Sequence, residues 1–421
     1  MNLYGEFEWR GLLYDASEGL RDVLAREKVT AYIGFDPTAA SLHVGNLVPI
    51  MALARLQRFG HAPIALVGGG TGLIGDPSGK TTERQLLTID KVEANLAGIQ
   101  SQLERFLDFG KSSARLVNNA EWLAQLTAVD FMRDIGKHFS VNAMLAKESV
   151  KRRIESQDGI SYTEFSYLLL QAYDFLVLFD RFNCTVQMGG SDQWGNITAG
   201  MDLIRRLRGA KAYGLVLPLV TTSTGTKFGK TEAGTIWLDP ELTKPYEFYQ
   251  FWLNTDDRDV VRYLKFFTFL EATPISELEA ATAAEPEKRR AQQALARHVT
   301  ALVHGDTAVR DAEAASQKLF GGDVASMSVK ELLQVFPNVP SSTTTYVAEG
   351  WPIVELLSSA GVASSKSDAT RLIRGGGIYV NDRRITDEKL RLRPDEAIEG
   401  QLFVVRKGKK DNYLVRIVRS S

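Results

Sequence analysis

The sequence predicts an α/β protein: a Rossmann-like parallel-sheet domain, then a helical domain, then a small α+β module at the C-terminus. Three observations carry this reading. Apolar strand-like runs alternate with helical spacing through the first half of the chain, and strand signals fade beyond Asp239-Pro240. A turn-rich stretch around Pro337 to Thr345 then precedes a basic final segment of about 70 residues.

The elements follow in order. Val29 to Gly34 is a β-rich run, Asp36-Pro37-Thr38 breaks it, and Leu47 to Phe59 resumes with helical apolar spacing. Pro63 to Val67 is a second apolar strand, ending in Gly68-Gly69-Gly70, and Leu215 to Val220 is a later one. In a parallel sheet, ligands bind beyond the carboxyl ends of the strands, where these glycine-rich segments sit. From Pro245 to about Leu319 helix formers dominate, and the aromatic run Tyr246 to Trp252 has the spacing of a helix core rather than of a base-stacking surface. The expected boundaries are a catalytic domain at 1–225, a loop and helical domain at 226–320, a linker at 321–350 and a terminal domain at 351–421.

Composition excludes several classes. Of 421 residues, 44% are hydrophobic and 24% charged, and no apolar run approaches the roughly 18 residues a membrane span needs. Met1 to Glu6 lacks the basic and apolar regions of a leader, so a cytoplasmic protein without membrane contact is expected. One cysteine rules out an internal disulfide, and with only five histidines no zinc site or other metal ligand set is expected. The net charge is -1, yet Trp351 to Ser421 holds 14 Lys and Arg against 9 Asp and Glu, which points any polyanion to the tail.

Two glycine-rich segments imitate familiar nucleotide motifs. Gly70-Thr71-Gly72-Leu73-Ile74-Gly75 matches GxGxxG, but Asp76-Pro77-Ser78-Gly79 follows and favours a turn where that fingerprint needs a helix N-terminus. The stretches ending at Thr81 and Thr231 both finish in Gly-Lys-Thr, one residue short of the P-loop spacing, so neither should close its nest of amides. Their lysines remain candidate phosphate ligands.

His43-Val44-Gly45-Asn46, between a strand and a helix, can approach a phosphate from the helix start, although taken alone the segment reads better as a capping turn. Lys227-Phe228-Gly229-Lys230-Thr231 places two cations in a loop of small residues. Together these resemble the HxGH and KMSKS elements of class I aminoacyl-tRNA synthetases. Tyr32 to Thr38, Gln171 to Asp174 and Gly189 to Asn196 are similar to the bacterial tyrosyl-tRNA synthetases in particular. The resemblance runs from about Tyr32 through the C-terminal module.

The resemblance implies activation of tyrosine by ATP with Mg²⁺, release of pyrophosphate, and transfer of the tyrosyl group to the 3′ end of tRNA(Tyr). It assigns Thr38, His43, Lys80, Arg84, Lys227, Lys230 and Thr231 to the polyphosphate in the transition state. Such a reaction needs positioned charge rather than a protein nucleophile. Gly34, Asp36, Gly45, Asn46 and Asp192 are implied on the nucleoside side, with Lys230 also contacting ATP. Tyr32 and Asp174 would read the phenol, Asp76, Tyr167 and Gln171 the ammonium, and Gln193 the carboxylate. Asn46, Phe228 and Gly229 depart from the commoner motif letters, while both lysines keep their register.

Gly361 to Asn381 resembles an S4-type RNA-binding domain, which implies phosphate contacts from Lys366, Arg371, Arg374, Arg383 and Arg384. The segment from Pro245 is implied in anticodon recognition, and Phe131 to Ile154 in a homodimer interface. The rival readings are a tryptophanyl enzyme and a noncatalytic RNA-binding relative.

Overall fold

The computed structural model describes residues 2–78, 86–110, 114–155, 159–225, 228–231, 234–320, 324–336, 339–408 and 411–419. The side chains at 148–149, 230–231, 319–320 and 334 stand outside that description. Two compact units result: residues 1–243 with 251–303, and residues 244–250 with 304–421.

The first unit is built on a six-stranded sheet of β1 (Asp15–Ala16), β2 (Thr30–Phe35), β3 (Ala62–Val67), β4 (Arg115–Asn118), β5 (Cys184–Gly190) and β6 (Tyr213–Leu217). Their spatial order is β1-β6-β5-β2-β3-β4, parallel throughout except for β1 against β6. All six residues of β3 are buried, as a central parallel strand covered on both faces requires. The run expected at Leu215–Val220 pairs only over Tyr213–Leu217, since Pro218 cannot donate to a ladder. Cys184 opens β5, fully buried, and burial pushes its thiol well above the usual range.

Helices fill the crossovers. Leu47–Arg58 buries nine of its twelve residues, beyond one amphipathic stripe. Tyr162–Phe182 starts where the Ser161 side chain accepts from the Glu164 amide and stops at left-handed Asn183 (φ 51°). Its buried face, with Leu168, Ala172 and Phe175, joins Tyr32, Ile64 and Leu66 of the sheet in one core cluster.

The helical stretch expected as one domain at 226–320 is divided between the two units. Its long helix, Arg290–Phe320, contains Gly305 in a non-helical conformation (φ 84°, ψ 167°), beside the 303/304 division. The stretch expected as a linker is folded as well. Val329–Val335 is a helix opened by a Ser328/Glu331 capping box, and Ser341–Thr345 is a strand. The same threonines that read as turn-forming are β-branched, and they run parallel to Asp411–Val418 at the edge of a five-stranded sheet. That sheet covers two apolar clusters, one around Leu356, Ile373 and Phe403, the other around Leu332, Leu402 and Leu414.

Candidate active site

The chain passes from β2 outward to β3 and β4, then returns to place β5 on the other side of β2. This reversal leaves a crevice at the carboxyl ends of β2 and β5. A cavity of about 330 Å³ occupies it. Tyr32, Gly34, Asp36, Thr38, His43, Asn46, Asp76, Tyr167, Gln171, Asp174 and Gln193 line this space. Gly45 and Asp192 stand beside it, in the short turns Val44–Asn46 and Ser191–Gln193. A larger cavity, about 700 Å³, lies elsewhere in the unit between His138 and Lys211. The smaller one collects the convergent polar groups that a binding site requires.

Its deep end is a buried polar network. Tyr32 is 1% exposed and its hydroxyl has no hydrogen-bond partner among the described residues. Asp174, equally buried, accepts from the Asn119 amide (2.9 Å) and the Trp122 indole (2.7 Å). Burial pushes the Asp174 carboxyl up to about 7, against the pull of those two donors. Asn119 also donates to Thr71 Oγ1 at 2.9 Å and accepts from the Gly70 amide at 2.8 Å. The imitation dinucleotide motif therefore serves as a wall: Thr71–Leu73 is one 3-10 turn, and the Thr71 hydroxyl donates to Asp36 at 2.8 Å. Asn119 and Trp122 are not legible in the sequence as site residues. They lie on no motif, although an Asn-Asn-Ala-Glu-Trp sequence starting at the last residue of β4 could mark them as strand-end groups facing the crevice.

One side is acidic and amide-rich. Tyr167 donates to Asp36 Oδ2 at 2.8 Å, and its hydroxyl is held well above the usual range by burial, then by Asp36 and Asp76. Gln193 donates to Asp76 Oδ2 (2.6 Å) and accepts from Gln171 (3.1 Å), while Asn196 donates to Gln171 Oε1 (2.9 Å). Asp76 accepts the Ser78 amide at 2.9 Å, which is the turn expected after the glycines. Carboxylates and amide oxygens crowd here, so a cation would find its partners.

At the mouth, His43 forms the capping turn that the sequence allows it. Its Nδ1 accepts the Gly45 amide (3.0 Å) while the Asn46 side chain accepts the His43 amide (3.0 Å), a reciprocal cap. With Nδ1 occupied, the neutral imidazole carries its proton on Nε2 and is a donor there. The second motif meets the first directly. Lys230–Thr231 pairs with Gly234–Thr235 as a small hairpin, Val44 donates to Ile236 O at 3.0 Å, and Leu238 donates to Leu42 O at 2.9 Å. Gly229 has φ 80°, and a Cβ there would come within 2.7 Å of Val44, so only glycine fits the contact. Phe228 is buried and stacks 5.3 Å from Phe267 at 8°, with Tyr263, Phe251 and Trp252 around it. Lys80, Arg84 and Lys227, and the side chains of Lys230 and Thr231, lie outside the described residues.

The C-terminal basic residues belong to the second unit. Lys366 pairs with Glu355 (2.6 Å), Arg371 with Asp368 (2.6 Å), Arg374 with Glu388 (2.7 Å) and Arg383 with Glu396 (3.4 Å), while Arg384 donates to Gly376 O. All are exposed, and exposed ion pairs contribute little, so these cations stay available to other anions.

An α/β unit with a switch-point cavity and paired HVGN and KFGKT elements defines a class I synthetase. The family model for tRNA synthetases class I (W and Y) matches residues 24–321, and that for the Tyrosine--tRNA ligase SYY-like C-terminal domain matches 331–415. The chain is 58% identical to the Tyrosine--tRNA ligase of Roseiflexus castenholzii over 98% of its length and 99% of the relative's. It is 55% identical to that of Geobacillus stearothermophilus over 99% and 100%. A truncated mitochondrial tyrosyl-tRNA synthetase from Aspergillus nidulans superposes with a TM-score of 0.69 at 33% identity, covering 76% of this chain and 94% of the other. The chain belongs to the class I tRNA synthetases, in the branch of the tyrosine-tRNA ligases.

Proposed function

We propose that the 330 Å³ cavity is where this ligase joins tyrosine to ATP, before the tyrosyl group passes to the 3′ end of its tRNA. The observation that carries the reading is the Tyr32 hydroxyl, buried beside the Asp174 carboxyl without a hydrogen-bond partner among the described residues. Such an orphan is costly unless an incoming group satisfies it, and a phenolic hydroxyl, donor and acceptor at once, suits both residues. Phenylalanine would leave them unpaired; tyrosyl-tRNA synthetase is itself the standard illustration of that effect.

Asp76, Tyr167 and Gln171 then receive the ammonium, and Gln193 lies toward the carboxylate. Gly34, Asp36, Gly45, Asn46 and Asp192 serve the nucleoside. Thr38 and His43, with Lys80, Arg84, Lys227, Lys230 and Thr231, stabilise the departing pyrophosphate. The carboxylate oxygen of tyrosine attacks the α-phosphorus and the bond to the β-phosphate oxygen breaks, so no protein nucleophile is consumed. Mg²⁺ would arrive on the triphosphate and share its charge; among the described residues no group of three or more His, Cys, Asp or Glu forms a metal cage.

Two further readings belong here. The C-terminal cations bind tRNA phosphates. The segment Phe131–Ile154 pairs two copies of the chain, supported by the exposed apolar side chains of Met132, Val141, Leu145 and Ile154 near the 700 Å³ cavity. Among the described residues no helix is long and apolar enough to cross a membrane. ATP-pyrophosphate exchange tests the central reading: tyrosine should drive it, while stimulation by tryptophan and not tyrosine would overturn the assignment.

A further inference from the structure

We infer that Asp259 is a positioning residue for the cationic loop, acting from a helix that buried arginines fix to the opposite motif. The inference rests on the proposed role of Lys230 in adenylate formation. The helix is Asp257–Phe267, from the segment whose implied role is anticodon reading, and it belongs to the first compact unit.

Its N-terminal half holds the base of the loop. Asp259, 4% exposed, accepts the Ser223 amide at 2.8 Å and pairs with Arg262 at 2.9 Å. Arg262 and the Tyr263 hydroxyl both donate to Thr221 O, at 2.5 and 3.3 Å. Farther along, Tyr263 and Phe267 pack on Phe228. One helix thus grips the loop at its start and just before Lys230.

The other end of the helix is not free to shift. The last carbonyls of a helix lack intrahelical partners; here the Thr268 hydroxyl donates to Leu264 O, and two buried arginines reach Lys265 O, Phe266 O and the carbonyls just beyond. Arg55 donates to Lys265 O, Phe266 O and Thr268 O (3.1, 3.0 and 2.7 Å), and Arg10 to Lys265 O and Leu270 O (2.9 and 2.8 Å). Cations at a helix C-terminus are favourable, and Glu6, paired with Arg10 and 4.0 Å from Arg55, offsets part of their charge. Arg55 lies on the helix Leu47–Arg58, which begins directly after His43 to Asn46. A rigid path therefore runs from the first motif to Arg55, through Asp257–Phe267, to the loop bearing the second. The two motifs lie far apart in sequence, and this path keeps the polyphosphate ligands in register.

A double-mutant cycle separates positioning from mere stability. Asp259→Ala should slow single-turnover tyrosyl-adenylate formation about tenfold or more with tyrosine affinity unchanged, because a small misplacement of charge costs rate. In a Lys230→Ala background the same change should cost less than about twofold, since the group it places is gone. Asp259→Asn, whose amide oxygen still accepts from Ser223, should recover most of the rate. A folded Asp259→Ala at wild-type rate, or an equal loss in both backgrounds, would overturn the inference. If Asp259→Ala does not fold, Tyr263→Phe removes only the hydroxyl to Thr221 O and carries the same cycle with the same two outcomes. Lys230→Ala at wild-type rate overturns the loop's assigned role, and this inference with it.

Discussion

The two ends of the cavity are built by opposite means. The deep end assembles Tyr32, Asn119, Trp122 and Asp174 from distant parts of the sequence, buries them together and leaves the Tyr32 hydroxyl with no hydrogen-bond partner among the described residues. The mouth is local: a reciprocal cap at His43 and a hairpin laid across it through Gly229 and Ile236. In the function proposed above, selectivity rests on a buried, pre-assembled floor, and catalysis on donors mounted on short segments whose backbones touch.

The largest expected effect falls on the mouth. Lys230→Ala or Lys227→Ala should each lower adenylate formation by about 10²-fold, the scale of removing one donor to a transition-state charge, with tyrosine affinity unchanged. Weakened tyrosine binding, measured by fluorescence titration, would break the division between the ends. Next comes the floor. With a folded value about 7 against 3.8 for a free carboxyl, the ligand-free fold retains the Asp174 proton where the unfolded chain gives it up. That contribution to stability is complete below pH 3.8 and is lost as pH rises toward 7. The ionised Asp174 is the stronger acceptor for a phenol O–H, so tyrosine should bind more tightly at about pH 8 than at about pH 6. Asp174→Asn should flatten that profile and reduce the preference for tyrosine over phenylalanine; an unchanged slope would remove Asp174 from phenol reading.

A smaller loss is expected from Trp122→Phe, which deletes one donor to the carboxylate. The Asp174 midpoint should rise further, weakening tyrosine at neutral pH by roughly 3- to 10-fold while leaving the adenylate rate at saturating tyrosine unaltered. The smallest effect lies in the second unit. Arg371→Ala with Arg374→Ala should make the dependence of log tRNA affinity on log salt shallower by about one for each phosphate the cations neutralise, with amino-acid activation unchanged. An equal drop in ATP-pyrophosphate exchange would contradict the separation of RNA binding from chemistry.

The same contrast explains which parts of the molecule are legible in its sequence. HVGN and KFGKT are contiguous strings whose chemistry depends on neighbours in sequence, so they can be read directly. Asn119 and Trp122 act only because β4 delivers them opposite Asp174, a pairing no window of sequence contains. The strand pattern is readable to within a few residues, because burial on both faces writes continuous apolar runs. The segment 321–350 reads as a linker because threonines serve turns and edge strands alike, and only the partner strand Asp411–Val418 decides between them. Phe228 looks in sequence like a departure from a motif letter. Its meaning is the aromatic cage on the far side of the loop.

Cys184 carries one practical consequence. Buried at the start of β5 with its thiol held protonated, the chain's only sulfhydryl is shielded from alkylating probes while the protein is folded. A cysteine introduced at exposed Thr224 would be the sole accessible labelling handle, and a dye attached there would report on the base of the KFGKT segment without first removing a native cysteine.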